Sequence, residues 1–192
     1  MPRRLLALLV VAALAACGGE RSKPVRLEDV AAPVVWGSAD NVTRVGQLWF
    51  SSQPDEAALR AAKEHGITLV IDLRAPGERD WDEAAVARGL GLEYENVPVP
   101  GKAPFSEAAF AQIDEFVEAH PKEQILLHCS TGNRAAAWFT THLVRRQGMP
   151  FAEALEIGRR AGITKPEVVA QTAAFLGVEA PKASHEEAPA AH

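Results

Sequence analysis

The chain has 192 residues, enough for one domain with appendages. Hydrophobic residues make up 47% and charged residues 23%, which supports a packed core and argues against a disordered chain. A net charge of -5 with no basic stripe argues against a nucleic-acid binder.

Arg3 and Arg4 precede an apolar run from Leu5 to Ala16, too short to span a bilayer as a helix but suited to a signal-peptide core. The run ends Leu14-Ala15-Ala16-Cys17-Gly18, which resembles a bacterial lipobox. The resemblance implies a signal peptide over 1–16, cleavage before Cys17 and lipidation of Cys17. The product would be a lipoprotein of the bacterial cell envelope, facing the periplasm and held to a membrane through its lipid. Gly18 is compatible with the outer membrane. With Cys17 lipidated, Cys129 is the only thiol left, and no intramolecular disulfide can form. A lone thiol in an oxidising compartment risks oxidation, which favours a use for it.

Residues 17–33 are polar and proline-dotted and read as a tether. A domain is expected over 34–178. Val34-Val35-Trp36 and Gln47 to Phe50 read as early strands, and a helix over about 55–65 stops at Gly66. Ile67 to Leu73 is a strongly apolar strand running into Arg74. A charged loop, Ala75 to Asp80, leads to a short helix near 81–88. Leu92 to Val97 alternates as a strand. Pro98 to Pro104 is a rigid loop, and Ser106 caps a helix to about His120. Ile125 to Leu127 is a short buried strand, followed by helices over about 134–147, 151–161 and 166–176. The tail, 179–192, is alanine, proline and charge and reads as disordered. Strands alternate with helices, so the expected fold is α/β, a mostly parallel central sheet flanked by helices.

The chemistry is expected in the turn His128-Cys129-Ser130-Thr131-Gly132-Asn133-Arg134, between that short strand and a long helix-forming stretch. Such a turn points the first free N–H groups of the helix into the loop, making an anion cradle. Gly132 lets consecutive N–H groups converge. The helix's positive end and a nearby guanidinium both favour a nucleophilic thiolate at Cys129. Arg134 supplies a planar fork for two oxygens of a phosphate, sulfate or thiosulfonate. Ligands in such sheets bind at the carboxyl ends of strands, where Arg74 and the loop after Val97 also fall.

His128-Cys129 with Gly132 and Arg134, preceded by Asp72-Leu73-Arg74 and Glu78, resembles the cysteine-dependent protein phosphatase superfamily. Within it the likeness is to the bacterial beta-lactamase hydrolase-like phosphatases, often labelled sulfur transferases. Pro98 to Phe105 also resembles a loop of atypical dual-specificity phosphatases, which implies a dual-specificity-phosphatase-like fold. The resemblance implies Cys129 as nucleophile, Arg134 with the backbone of Ser130, Thr131, Gly132 and Asn133 as oxyanion holders, and His128 as loop support. It implies an oxyanionic, phosphorylated substrate and no cofactor. The five other histidines show no metal-ligand spacing.

Three features depart from the tyrosine-phosphatase pattern. Only four residues separate Cys129 from Arg134, one fewer than in those loops, so Ala135 stands where their arginine does. One residue is about 100° of helical rotation, so Arg134 must reach the anion differently. Rhodaneses, which carry sulfur as a cysteine persulfide, share the shorter loop. Ala135 lacks the hydroxyl that usually follows the arginine and eases thiolate departure; Ser130 or Thr131 stands as the substitute. Finally, Val97 to Phe105 holds no acid to protonate a leaving oxygen. Asp80 and Asp82, on the other loop, are the candidates. Arg74 is either a second anion contact or the partner of Glu78. Three functions follow: a phosphatase using a phosphocysteine, a sulfurtransferase using a Cys129 persulfide, or a non-catalytic oxyanion-binding envelope module.

Overall fold

The computed structural model describes residues 24–181. The signal peptide over 1–16, the lipid site Cys17 and the tail beyond 181 lie outside the described residues. In chain order the elements are β1 (Val34–Trp36), β2 (Ala39–Val45), β3 (Leu48–Ser51), α1 (Glu56–Glu64), β4 (Ile67–Asp72) and α2 (Glu83–Gly89). There follow β5 (Glu93–Asn96), α3 (Glu107–Ala119), β6 (Gln124–His128), α4 (Asn133–Gln147), α5 (Phe151–Ala161) and α6 (Pro166–Leu176).

The six strands form one sheet in the order β1-β2-β3-β6-β4-β5. The pairs β3–β6, β6–β4 and β4–β5 are parallel, while β1–β2 and β2–β3 are antiparallel. The expected α/β sheet is therefore present, with an antiparallel extension on one side. Strand β2 was not apparent in the sequence, because Asp40, Asn41 and Arg44 break its apolar alternation. It lies between β1 and β3 with those three partly or fully exposed, and the Arg44 guanidinium sits 5.3 Å from the centre of the Trp49 ring.

Alternate residues of the central strands serve two cores. Phe50, Leu69, Ile71, Ile125 and Leu127 pack with residues of α3, α4 and α5. Trp49, Val70 and Leu126 face the opposite way, packing with Leu59 and Ala62 of α1 and with Ala87 of α2. Burial on both faces is why these strands read as near-continuous apolar runs. The stretch read as a tether is shorter than expected. Val30 is buried and bridges to Val45, Ala31 N–H donates to the Arg44 carbonyl at 2.9 Å, and Val25 N–H reaches Gln147 Oε1. The chain is thus docked on the domain from Val25, nine residues before β1.

Register sets up the site. Ser51 of β3, His128 of β6, Asp72 of β4 and Asn96 of β5 form one row across the carboxyl ends of the four parallel strands. Cys129 is the next residue beyond that row.

Candidate active site

The turn after β6 is shaped by its glycine. Gly132 has φ of 80° and is the N-cap of α4. A Cβ there would stand 3.0 Å from Asn41 Nδ2 and 3.4 Å from the Ser51 carbonyl, so both conformation and space require glycine. The first intrahelical bond shown at this end is Ala136 N–H to Gly132 O, leaving the N–H groups of Asn133, Arg134 and Ala135 before it. Neighbouring segments brace the turn. Thr131 bridges to Ser52, whose N–H donates to Asn41 Oδ1 at 2.8 Å. The Asn133 side chain points away from the turn's mouth: Nδ2 donates to Thr131 and Thr164, and Oδ1 accepts from the N–H groups of Thr164 and Lys165. That side chain ties the turn to the start of α6, so any anion contact from Asn133 must come from its backbone. Cys129 is a free thiol with no exposed surface.

Arg134 lies almost wholly buried across the strand ends. Its Nη1 donates to the carbonyls of Val99 at 2.7 Å and Leu73 at 3.3 Å, which pins together the loops following β5 and β4. The same nitrogen donates to Glu78 Oε2 at 2.9 Å, and Nη2 donates to Glu78 Oε1 at 2.7 Å and Ser130 Oγ at 3.1 Å. Burial alone would lower the Arg134 pKa. The hydrogen bond to Glu78 and the charge of Cys129 outweigh it, and the net shift is upward. The sequence leaves this fork open for a substrate; here it grips Glu78. Glu78 also accepts from Ala75 N–H at 2.8 Å and from Ser130 Oγ at 3.2 Å. Its bond to Arg134 is the main cause that holds its carboxyl below the usual range.

Arg74 does neither of the things expected of it. It has no exposed surface and does not meet Glu78. Its Nε and Nη2 donate to the two oxygens of Asp72 at 2.9 and 3.0 Å, and Nη2 also meets Glu83. A residue so enclosed offers no surface to an anion in solvent. His128 completes this floor beneath the cradle, its Nε2 2.8 Å from Glu83 Oε1 and 3.8 Å from Asp72 Oδ1. The nearer contact is an ion-pair distance without the alignment of a directed hydrogen bond. Tyr94 Oη donates to Asp72 Oδ2 at 2.7 Å. Burial would raise the Asp72 pKa, but Arg74 and His128 outweigh it and the shift is downward. Burial and the bond to Asp72 both push Tyr94 upward. The His128 carbonyl accepts from Leu73 N–H at 2.9 Å, so this histidine fixes the strand end as well. Asp72, Glu83 and His128 stand close enough to ligate one metal ion, but the guanidinium of Arg74 already lies against both carboxylates and supplies the cation there.

Of the two candidate acids, Asp82 is the N-cap of α2 and accepts from Ala85 N–H at 3.0 Å. It caps the helix whose next residue, Glu83, enters the floor. Asp80 is exposed and accepts from Gln53 Nε2 at 3.1 Å. Gln53 follows Ser52, which bridges to Thr131, so Asp80 is tied to the rim of the cradle. The loop after Val97 contributes a carbonyl and close packing: a Cβ on Gly101 would come 3.9 Å from Arg134 Cζ. Sequence reasoning gave no role to Asn41, Gln53 and Tyr94, and it named Asp72 only within the motif before Arg74 and Glu83 only among the acids of the charged loop. Asp72 carried a visible signal as an acid ending an apolar strand beside Arg74, and Glu83 as one acid of that loop.

No protein-family model matches the sequence, and no curated protein matches it. Solved structures do resemble the fold. Pseudomonas aeruginosa TpbA superposes with a TM-score of 0.61 at 18% identity, covering 78% of this chain and 91% of that one. Tk-PTP in its active form gives 0.58 at 20% identity, covering 68% and 91%. The core catalytic domain of the Saccharomyces cerevisiae PP-IP phosphatase SIW14, crystallised with citrate, gives 0.60 at 18% identity, covering 77% and 86%. A TpbA variant crystallised with pTyr superposes similarly, at 0.59. The fold is therefore the dual-specificity-phosphatase-like α/β fold.

Proposed function

We propose that the chain is a cysteine-dependent phosphatase acting on phosphate esters. The observation that carries this reading is the placement of Cys129. It directly follows the central parallel strand, at the base of a cradle made by a left-handed glycine and the start of α4, where Arg134 donates to the neighbouring Ser130. Cys129 Sγ attacks phosphorus, the bond from phosphorus to the leaving oxygen breaks, and that oxygen takes up a proton. Water then attacks the phosphocysteine, giving a proton back to the carboxylate that protonated the leaving oxygen; the S–P bond breaks, phosphate is released and the Cys129 thiolate is restored. Backbone N–H groups at the start of α4 stabilise the equatorial oxygens. Asp80 is the proton donor in this reading, since Asp82 is committed to capping and Glu78 is held ionised by Arg134. The TpbA complex with pTyr supports a phosphate ester as substrate, and the name of SIW14, a PP-IP phosphatase, supports a phosphorylated substrate more broadly.

The test is turnover of p-nitrophenyl phosphate by the domain from residue 24. Activity is expected in the native protein and is lost in Cys129→Ser. Sulfur transfer from thiosulfate to cyanide without phosphate release would instead assign the persulfide reading, and neither activity would leave an oxyanion-binding module. The lipobox-like run at Cys17 supports an envelope lipoprotein, periplasm-facing and on the outer membrane. The envelope-extracted full chain should begin at Cys17 and carry diacylglycerol and acyl mass; an unmodified N-terminus would refute the anchor.

A further inference from the structure

We propose that Glu78 is an internal competitor for the anion site and thereby a specificity-determining residue: its carboxylate occupies the fork that an incoming oxyanion needs, so only a ligand of higher charge displaces it. This rests on the oxyanion-cradle reading above. Glu78 meets Arg134 with both oxygens, Oε1 to Nη2 at 2.7 Å and Oε2 to Nη1 at 2.9 Å, the arrangement that a bidentate oxyanion ligand would take. Its Oε1 also accepts from Ser130 Oγ, the hydroxyl next to Cys129. Arg134 spends its other Nη1 donation on the Val99 and Leu73 carbonyls, which are fixed strand-end groups. Of the contacts that these two nitrogens make, those to Glu78 are the ones an entering anion can replace.

The carboxylate is held by groups that can let it go. Glu78 belongs to a single 3-10 turn, Pro76–Glu78, rather than to a longer helix. Its side chain is 33% exposed, so it can leave toward solvent without crossing the core. Nothing lies within 4 Å of a Cβ placed on Gly77, so the turn has room around it. Apart from Ala75 N–H within the same turn, the groups it bonds are Arg134 and Ser130.

Charge then decides what can enter. A monoanion that replaces Glu78 exchanges one negative charge for another in the fork and gains little. A dianion keeps the pairing with Arg134 and brings a second charge to the free N–H groups at the start of α4. The site therefore favours the dianion of a phosphate monoester over the monoanion of a diester.

Isothermal titration with inorganic phosphate and with dimethyl phosphate, at mildly alkaline pH and constant ionic strength, tests this on the native protein, Glu78→Gln and Glu78→Ala. The native protein should bind phosphate and not the diester. If the fork is occupied roughly nine-tenths of the time, removing the competitor tightens phosphate binding about tenfold, and dimethyl phosphate binding appears. Two variants guard against one that does not fold, with circular dichroism as the check. Weaker phosphate binding in both folded variants overturns the proposal and makes Glu78 a positioner of Arg134. Equal binding in all three proteins overturns it as well, with the cradle intact. Absence of phosphate binding in every protein removes the cradle reading itself and the competitor with it.

Discussion

Asp72 and Glu78 are carboxylates whose ionised forms the fold holds in place, one in the floor beneath Cys129 and one above it. Both have folded pKa values below the ordinary carboxylate range, Asp72 because Arg74 and His128 outweigh burial and Glu78 chiefly through Arg134. The unfolded chain binds protons at each site at a higher pH than the folded chain does. Their contributions are thus fully present above the ordinary carboxylate range and disappear as pH falls through the depressed folded values. Thermal midpoints should stay flat from neutrality to about pH 5 and decline below about pH 4. A profile flat to pH 3 would mean that neither pair contributes to stability. At this scale the sequence was partly legible. Cys129, Gly132 and Arg134 are contiguous, so their juxtaposition could be read directly. The partners of Arg74 and Arg134 could not, because they are chosen by where two loops fold back. Arg74 meets Glu83 nine positions later and Arg134 meets Glu78 56 positions earlier, a pairing that spacing alone does not disclose.

Helix α2 shows how an element decides between two readings of one residue. Asp82 had the right type and neighbourhood for a general acid, yet its Oδ1 accepts from Ala85 N–H at the start of the helix. In that position it orients Glu83 into the buried floor. Asp82→Ala should lower stability by about 1 kcal/mol, the usual value of an N-cap, and leave aryl phosphate turnover near the native rate. A fall in turnover on the order of a hundredfold or more would assign it proton transfer instead. Capping follows an Asp-x-x pattern at a helix start, and the sequence carried that pattern here. What it lacked was the boundary: the helix was expected from Trp81 and begins at Glu83, which is what turns Asp82 from a member into a cap. Strand β2 was missed for a related reason. Its exposed positions carry charged and polar residues, so its pairing with β1 and β3, not its composition, makes it a strand.

Across the whole molecule, the alternation of apolar strands and amphipathic helices was enough to anticipate the α/β layering. Arg74, Arg134 and the turn after β6 gather at the carboxyl ends of the parallel strands, the end to which the sequence assigned Arg74 and Cys129. The docked segment from Val25 was not anticipated, since its hold depends on scattered contacts with β2 and α4. Cys129 has no exposed surface, and it is the only free cysteine among the described residues. A thiol reagent or an oxidant can reach the sulfur only while the residues packed around it are apart. The rate at which iodoacetamide alkylates Cys129 is consequently a measure of local opening around the sulfur, and the same burial shields the thiol from damage between openings.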